Sequence, residues 1–414
     1  MWYRGKRTVI GTRTPIALLV GIGVLASARP ADAAEVTRVL NARSLQDFDI
    51  DVSVVYQHDQ TNGSIKREVV QSTGTLLVND LLYHHSRDAM LLRGEVGLVH
   101  DLSFFLSGSL VLADQRGLDL DRSGNCAAGN CLETLLRDGF LPSTPASASG
   151  QVWSGPYRRG FEYLGLGLRW ATMNQDRDRT KPTWVVGLET RFSVASDQRF
   201  DPGNPTANRA VGAGYHQIIL STQFSRRFGA YEPTMGGWFM QPVLTSNSVY
   251  GNRGSGSFSS AQRRIGGNFG IEGTVWENPA VHARFALEAT GQLEYHLEGL
   301  AQSELWEVLS GDAGCPKDPT KCRAGIDVDS NGHAAPNSGV VRSPGYGSLG
   351  GDAGFSAHVG RHARFRGLFG LLFEETHLLT DAGSGNSMYD IPGRRFRVEG
   401  IYAWRVLLDA TATF

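Results

Sequence analysis

Two short segments of the sequence carry oxygen-bearing side chains at the spacing of a calcium-binding loop. Both follow the pattern D-x-D-x-[S/N]-G, which places alternate side-chain oxygens around a tight glycine turn. An EF-hand loop has an acidic residue at its twelfth position, where this chain has Asn130 and Ser338, so a plain Asp/Gly turn is the alternative. The candidate ligands for Ca2+, the one cofactor that the sequence suggests, are Asp119, Asp121, Ser123, Asp327, Asp329 and Asn331.

The four cysteines form two close pairs, each beside one of these segments. Cys126 lies near Cys131, and Cys315 lies near Cys322, in stretches rich in glycine and aspartate. Neither pair has the CxxCH motif of covalent haem or the CxxC spacing of a zinc site. Since exported chains meet an oxidising compartment, we expect two local disulfides.

Two functional classes receive no support from the sequence. The 11 histidines lie in neither a G-x-S-x-G nucleophile elbow nor an H-E-x-x-H metal motif, so we expect no catalytic residues and no enzyme activity. The formal net charge of the chain is −1, which leaves no basic excess for binding nucleic acid.

The N-terminus has the three parts of a secretory signal. Basic residues occupy positions 4 to 13, an apolar run extends from Pro15 to Ala28, and the small-residue site Ala31-Asp32-Ala33 follows. Because the run is shorter than the roughly 20 residues of a membrane-spanning helix, we expect cleavage after Ala33 rather than a retained helix. The expected organisation is a signal peptide over 1–33, a short periplasmic segment over 34–45 and a single domain over 46–414.

The candidate functional groups must be positioned by strands, because apolar and polar side chains alternate with a period of two. The alternation recurs in segments of about the 9 to 11 residues that tilted membrane strands require. In the clearest segment one face carries Val281, Ala283, Phe285, Leu287, Ala289, Leu293 and Tyr295, and the other His282, Arg284, Glu288, Gln292, Glu294 and His296. A helix would mix these two sets.

Twelve such strands are predicted, joined alternately by short and long connections. They are expected near 46–59, 86–99, 102–113, 160–173, 182–195, 211–227, 233–246, 264–276, 280–297, 347–359, 363–378 and 396–414. Ile65 to Val70 could add a pair, so fourteen strands are the alternative. An open edge in lipid would leave backbone groups without partners. We therefore predict an all-β fold, a transmembrane antiparallel up-and-down β-barrel with short periplasmic turns and long extracellular loops; a secreted β-sandwich is the alternative.

The last strand carries apolar residues at every second position and ends in an aromatic residue, Phe414. This resembles the signal that the outer-membrane assembly machinery reads on the final strand of bacterial barrels. The resemblance implies that this machinery and outer-membrane lipid are partners of the chain. The expected location is the outer membrane of a Gram-negative-type bacterium.

If the apolar faces meet lipid, the opposite faces place charges of both signs in the lumen. Such charges can pair across strands and hold the wall rigid, or they can line a hydrated pathway for a solute. The residues predicted to line the lumen are Arg169, Glu189, Arg191, Glu272, Arg284, Glu288 and Glu294.

Four segments resemble a known family: 158–179, Pro182-Thr183-Trp184, 212–217 and 391–398. They are similar to the MetA-type transporter barrels of phenol-degradation pathways and, more distantly, to the FadL-like fatty-acid channels. The resemblance implies uptake of small, often hydrophobic molecules. The function expected is therefore an outer-membrane channel or transporter for a small solute. The alternative is a structural or adhesive surface barrel whose cysteine-bearing extracellular loops bind a partner.

Overall fold

The computed structural model describes residues 37, 39–40, 49–99, 101–121, 151–199, 209–251, 260–307, 327–328, 334–335, 339–379 and 395–414. The signal segment 1–33, the four cysteines and the calcium candidates Ser123, Asp329 and Asn331 lie outside the described residues. In the described part of the chain no helix is long and apolar enough to cross a membrane.

Twelve long antiparallel strands form one closed sheet, as predicted. The strands are β1 Ile50–Gln71, β2 Gly74–Val99, β3 Leu102–Leu120, β4 Arg158–Met173, β5 Thr183–Ser193, β6 Tyr215–Ser225, β7 Tyr231–Leu244, β8 Arg264–Asn278, β9 Ala283–His296, β10 Tyr346–Val359, β11 Ala363–Glu374 and β12 Phe396–Thr413. Each strand pairs with the next along the chain. β1 also pairs with β12, from Asp51 opposite Thr413 to Arg67 opposite Phe396, and this pairing closes the barrel.

The two ends of the barrel differ in the length of their connections. At one end, called the short-turn end, the strands are joined by brief turns, and two of these turns use non-glycine residues with positive φ, Asp101 and His282. Both chain ends of the barrel domain lie here, where the backbone amide of Phe414 donates to the carbonyl of Ile50. The opposite end, called the long-loop end, carries the long connections, with the β1–β2 hairpin projecting from it.

The outer face of the barrel is apolar. Alternate side chains along the strands are large, hydrophobic and exposed, among them Leu106, Leu166, Leu188, Leu220, Phe269, Ile271, Leu287, Leu349, Phe369 and Leu408. In water, burial of this much apolar surface would be strongly favoured. The exterior therefore has the organisation of a wall that faces lipid.

The β1–β2 hairpin is longer than its sequence pattern predicted. The two strands stay paired from Ile50 opposite Val96 to Gln71 opposite Gly74, so the predicted boundaries at 59 and 86 were wrong. Ile65 lies within β1 and is fully buried, which excludes an additional strand pair there. The outward alternation fades because a hairpin that projects beyond the lipid has water on its outer face.

Apolar side chains on the inner face of this projection pack against residues from the long connections. We call this cluster the apolar cap; it consists of Ile65, Leu81, Tyr83, Leu118, Trp153, Leu305, Val341, Leu379, Phe396, Val398 and Ile401. The long-loop end is thus covered by segments of the chain that fold inward.

Candidate functional site

The inner wall of the barrel is a lattice of charged side chains joined across strands. All seven residues predicted to line the lumen lie on this wall, on the face opposite the exposed apolar residues. Their ion pairs are Arg169 with Glu95 (3.8 Å), Arg191 with Glu189 (2.8 Å), Arg284 with Glu272, Arg366 with Glu288 (2.6 Å) and Arg264 with Glu294 (3.5 Å). Two of these pairs, Arg169–Glu95 and Arg366–Glu288, skip a strand, so they brace the wall as well as making it polar.

Three carboxylates form a buried row across β7, β8 and β9. Glu232 lies directly opposite Glu272, which in turn lies directly opposite Glu288, and the three side chains are 1%, 5% and 7% exposed. Like charges placed side by side in a poorly hydrated wall repel each other. Arg284 bonds to Glu272 and Arg366 bonds to Glu288, so the two guanidinium groups hold the row together.

A cavity of about 310 Å³ occupies the lumen at the short-turn end; we call it the short-turn chamber. Its wall includes Arg93, Glu95 and Arg364 together with Leu40 from the segment before β1. Leu40 is buried, and the hydroxyl of Thr37 lies 2.7 Å from that of Ser225. Part of the segment 34–45 therefore lies against the barrel wall.

A second cavity, of about 190 Å³, lies in the lumen at the long-loop end; we call it the long-loop chamber. Arg116, Tyr215, Arg264, His296 and Tyr346 line it from the barrel wall. It is covered by the short strand Gly299–Gln302, by Val211 and Ala213, and by Tyr250.

The segment that follows this cover is anchored deep in the mouth of the barrel. Leu305 and Trp306 are fully buried, and the Trp306 ring lies 5.2 Å from the Arg158 guanidinium and 5.5 Å from that of Arg116. Arg158 also forms an almost completely buried ion pair with Glu307. Packing, cation–π contacts and charge pairing therefore hold residues 303–307 inside the barrel.

A stack of three rings connects this segment to the wall. Tyr346 is sandwiched between His296 and His377, with ring centroids 4.4 Å and 4.0 Å apart. Nδ1 of His377 lies 3.0 Å from the Glu375 carbonyl, and Nε2 lies 3.5 Å from the carboxylate of Glu304. Because Nδ1–H must donate to the carbonyl, Nε2 carries a proton toward Glu304 only in the imidazolium form. We call this ion pair the latch.

Both pKa values of the latch reflect this pairing. Burial alone would lower the pKa of His377, but the contact with Glu304 outweighs it and the pKa lies above the usual 6.5. Burial alone would raise the pKa of Glu304, but His377 outweighs it and the pKa lies below the usual 4.5. The stabilisation that protonated His377 gives the latch is complete below pH 6.5 and is lost as the pH rises through its raised pKa. The stabilisation that ionised Glu304 gives is present above pH 4.5 and is lost as the pH falls through its lowered pKa.

The latch is therefore expected to be strongest between these two limits and to weaken in alkaline solution. Glu374, Tyr346, His296 and Arg116 also act on the pair, so the pH effect is assigned with a variant specific to the latch. We expect the conductance of the reconstituted barrel in planar bilayers to rise from pH 6 to pH 8.5, and His377→Gln to remove this dependence. An identical pH response in His377→Gln would assign the effect to other groups.

The calcium candidates are only partly described. The carboxylate of Asp119 lies 3.7 Å from Nδ1 of His84, and Asp121 is buried, with its amide donating to the carbonyl of Asp80. Of Asp327 only the backbone is described, in a two-residue strand. Among the described residues no group of three or more His, Cys, Asp or Glu side chains could hold a metal ion.

The residues of segment 303–307 and of the latch were not identified from the sequence. Glu304, Trp306 and Glu307 lie in a long connection without apolar periodicity, and His377 follows the end of β11. The one available signal was the pair of large apolar residues Leu305-Trp306 between two acidic residues in a polar connection. Exposing two adjacent large apolar side chains to water is unfavourable, so their presence indicates burial.

No protein-family model and no curated protein matches the sequence. Among solved structures, an outer membrane channel from Pseudomonas putida F1 shares 11% identity at a TM-score of 0.42, covering 93% of this chain and 100% of that one. A FadL homologue from Pseudomonas aeruginosa shares 9% at 0.34, covering 89% and 90%. The outer membrane protease OmpT from Escherichia coli shares 11% at 0.26, covering 89% and 96%.

Similarity at this level carries no argument about function, and these proteins include both a channel and a protease. The fold rests instead on the pairing of the chain's own strands. By that pairing, the protein is a closed, twelve-stranded, antiparallel up-and-down β-barrel.

Proposed function

We propose that this chain is an outer-membrane channel for small solutes that is closed at rest by its own inward-folded segments. The observation that carries the proposal is a closed barrel with an apolar exterior and a charged lumen that contains two chambers. A closed barrel leaves no backbone edge unpaired in lipid. The chambers, of about 310 and 190 Å³, are at or below the lower end of drug-sized pockets, so the solutes are small.

The orientation follows from the connections. Short turns face the periplasm and long connections face the outside in outer-membrane barrels, so we infer that the latch and the apolar cap lie at the extracellular mouth. Phe414 is 70% exposed at the short-turn end, and we propose that the assembly machinery reads the last strand there.

Proteoliposome swelling tests this function directly. At pH 8.5, where the latch is weakened, vesicles that carry the folded full-length protein are expected to swell faster than protein-free vesicles in isotonic solutions of small solutes, and to exclude large oligosaccharides. The same preparation, unfolded by heat before mixing with lipid, is the matched control. If the folded barrel gives no swelling and no current at either pH 6 or pH 8.5, the channel function is wrong and a surface anchor becomes the better description.

A further inference from the structure

The long-loop chamber contains cationic groups that the described part of the protein leaves without strong partners. Nε of Arg116 has no hydrogen-bond acceptor there, and the guanidinium group faces the Trp306 ring at 5.5 Å. The guanidinium of Arg264 has Glu294 at 3.5 Å, and its Nε is unpartnered. The buried side-chain amide of Gln262 is likewise without an acceptor. Buried donors of this kind cost free energy unless something accepts from them.

The nearby carboxylates each have another partner. Asp114, Glu304 and Glu307, which act on Arg116, pair with His85, His377 and Arg158 respectively. Glu162, which lines the chamber, accepts from Arg87 at 2.6 Å and from Ser109 at 2.8 Å. Glu294 is 2.9 Å from Nε2 of His296. Arg116 therefore faces the chamber without a carboxylate at hydrogen-bonding distance among the described residues, and Arg264 shares its carboxylate, Glu294, with His296.

Three tyrosines also line the chamber, beside aliphatic and glutamine side chains. Tyr215 and Tyr250 meet edge to face with ring centroids 5.7 Å apart, and Tyr346 lies flat against His296. Faces and edges of aromatic rings favour a planar partner. A volume of about 190 Å³ suits a molecule with a single ring.

We propose that the long-loop chamber is a binding site for a small aromatic carboxylate. The ring lies among Tyr215, Tyr250 and Tyr346, and the carboxylate accepts from Arg116 and Arg264, whose planar guanidinium groups fit a carboxylate with two parallel hydrogen bonds. The proposal rests on the proposed function and extends it: small aromatic carboxylates are the class of solute that binds under the extracellular cover.

Benzoate binding to the detergent-purified full chain tests the site by titration calorimetry. We expect benzoate to bind, and its uncharged analogue benzamide and the non-aromatic anion acetate to bind at least about tenfold more weakly. Arg264→Gln is expected to weaken benzoate about tenfold and leave benzamide unchanged. Arg177→Gln, which removes the same charge from a short turn at the other end of the barrel, is the matched control.

The outcomes separate the site from the channel. Equal binding of benzoate and benzamide, or an unchanged benzoate affinity in folded Arg264→Gln, overturns the site even if the vesicles swell. Benzoate binding that requires Arg264 in a barrel that never conducts supports the site and overturns the channel. Heat-modifiable migration on gels confirms that each variant is folded.

Discussion

Replacing Trp306 with alanine is expected to raise the open fraction of the reconstituted barrel about 100-fold or more. Trp306 is fully buried in the mouth, between the guanidinium groups of Arg158 and Arg116. Truncating a buried tryptophan costs about 3 to 5 kcal/mol, and about 1.4 kcal/mol corresponds to a factor of ten. This free energy is lost from the closed state, in which residues 303–307 lie inside the barrel. The barrel itself is unaffected, because its strands keep their own hydrogen bonds.

Single-channel recording in planar bilayers measures this effect. Trp276→Ala is the matched control, because Trp276 is 53% exposed on the outer face and its loss leaves the mouth unchanged. Glu307→Gln, which weakens the pairing with Arg158, is expected to give a smaller increase in the same direction. If Trp306→Ala folds and stays closed, residues 303–307 are not the closure.

The second large effect is expected at the row of buried carboxylates. Arg284→Gln removes the guanidinium group that bonds to Glu272, which lies between Glu232 and Glu288 in a wall where the three carboxylates are at most 7% exposed. Breaking a buried ion pair by removing one partner costs about 3 to 5 kcal/mol. We expect a loss of this size in the free energy of unfolding, measured by denaturant titration of the barrel in lipid vesicles.

Two further variants show whether the carboxylate row is the cause. The double variant Glu272→Gln/Arg284→Gln also removes the negative charge of Glu272 and is expected to recover most of the lost free energy of unfolding. Arg342→Gln breaks a pair with Glu298 whose side chains are 40% and 44% exposed, and exposed pairs contribute about 0 to 1 kcal/mol. Equal destabilisation by Arg284→Gln and Arg342→Gln would contradict the burial argument.

The part of the fold that touches lipid was predictable from the sequence, and the part beyond it was not. The segment predicted over 280–297 is observed as β9, Ala283–His296, because lipid on one side and a charged lumen on the other impose alternation. In the β1–β2 projection the apolar side chains are on the inner face instead of the outer one: Ile65 and Leu81 face inward and are fully buried. Predicting strand ends from apolar residues on the outer face therefore makes these two strands too short.

The candidate site shows the same limit. The parity of each strand was enough to predict that Glu288 and Arg284 share the inner face, but their partners depend on barrel geometry. Arg366 reaches Glu288 across an intervening strand, and Tyr346 joins His296 to His377 from three different parts of the chain. Contacts of this kind follow from closure and from loops that fold inward, and neither leaves a period in the sequence.

The seam between β1 and β12 has a consequence for how the protein is made. Asp51 in the first strand pairs with Thr413 in the last strand. The first strand therefore cannot pair with its second neighbour until the last strand has been exported. During that interval β1 and β11 each present a row of free backbone N–H and C=O groups, which is a template for aggregation. Substitutions along this seam would therefore change the yield of barrels that reach the membrane, and leave each finished barrel working as before.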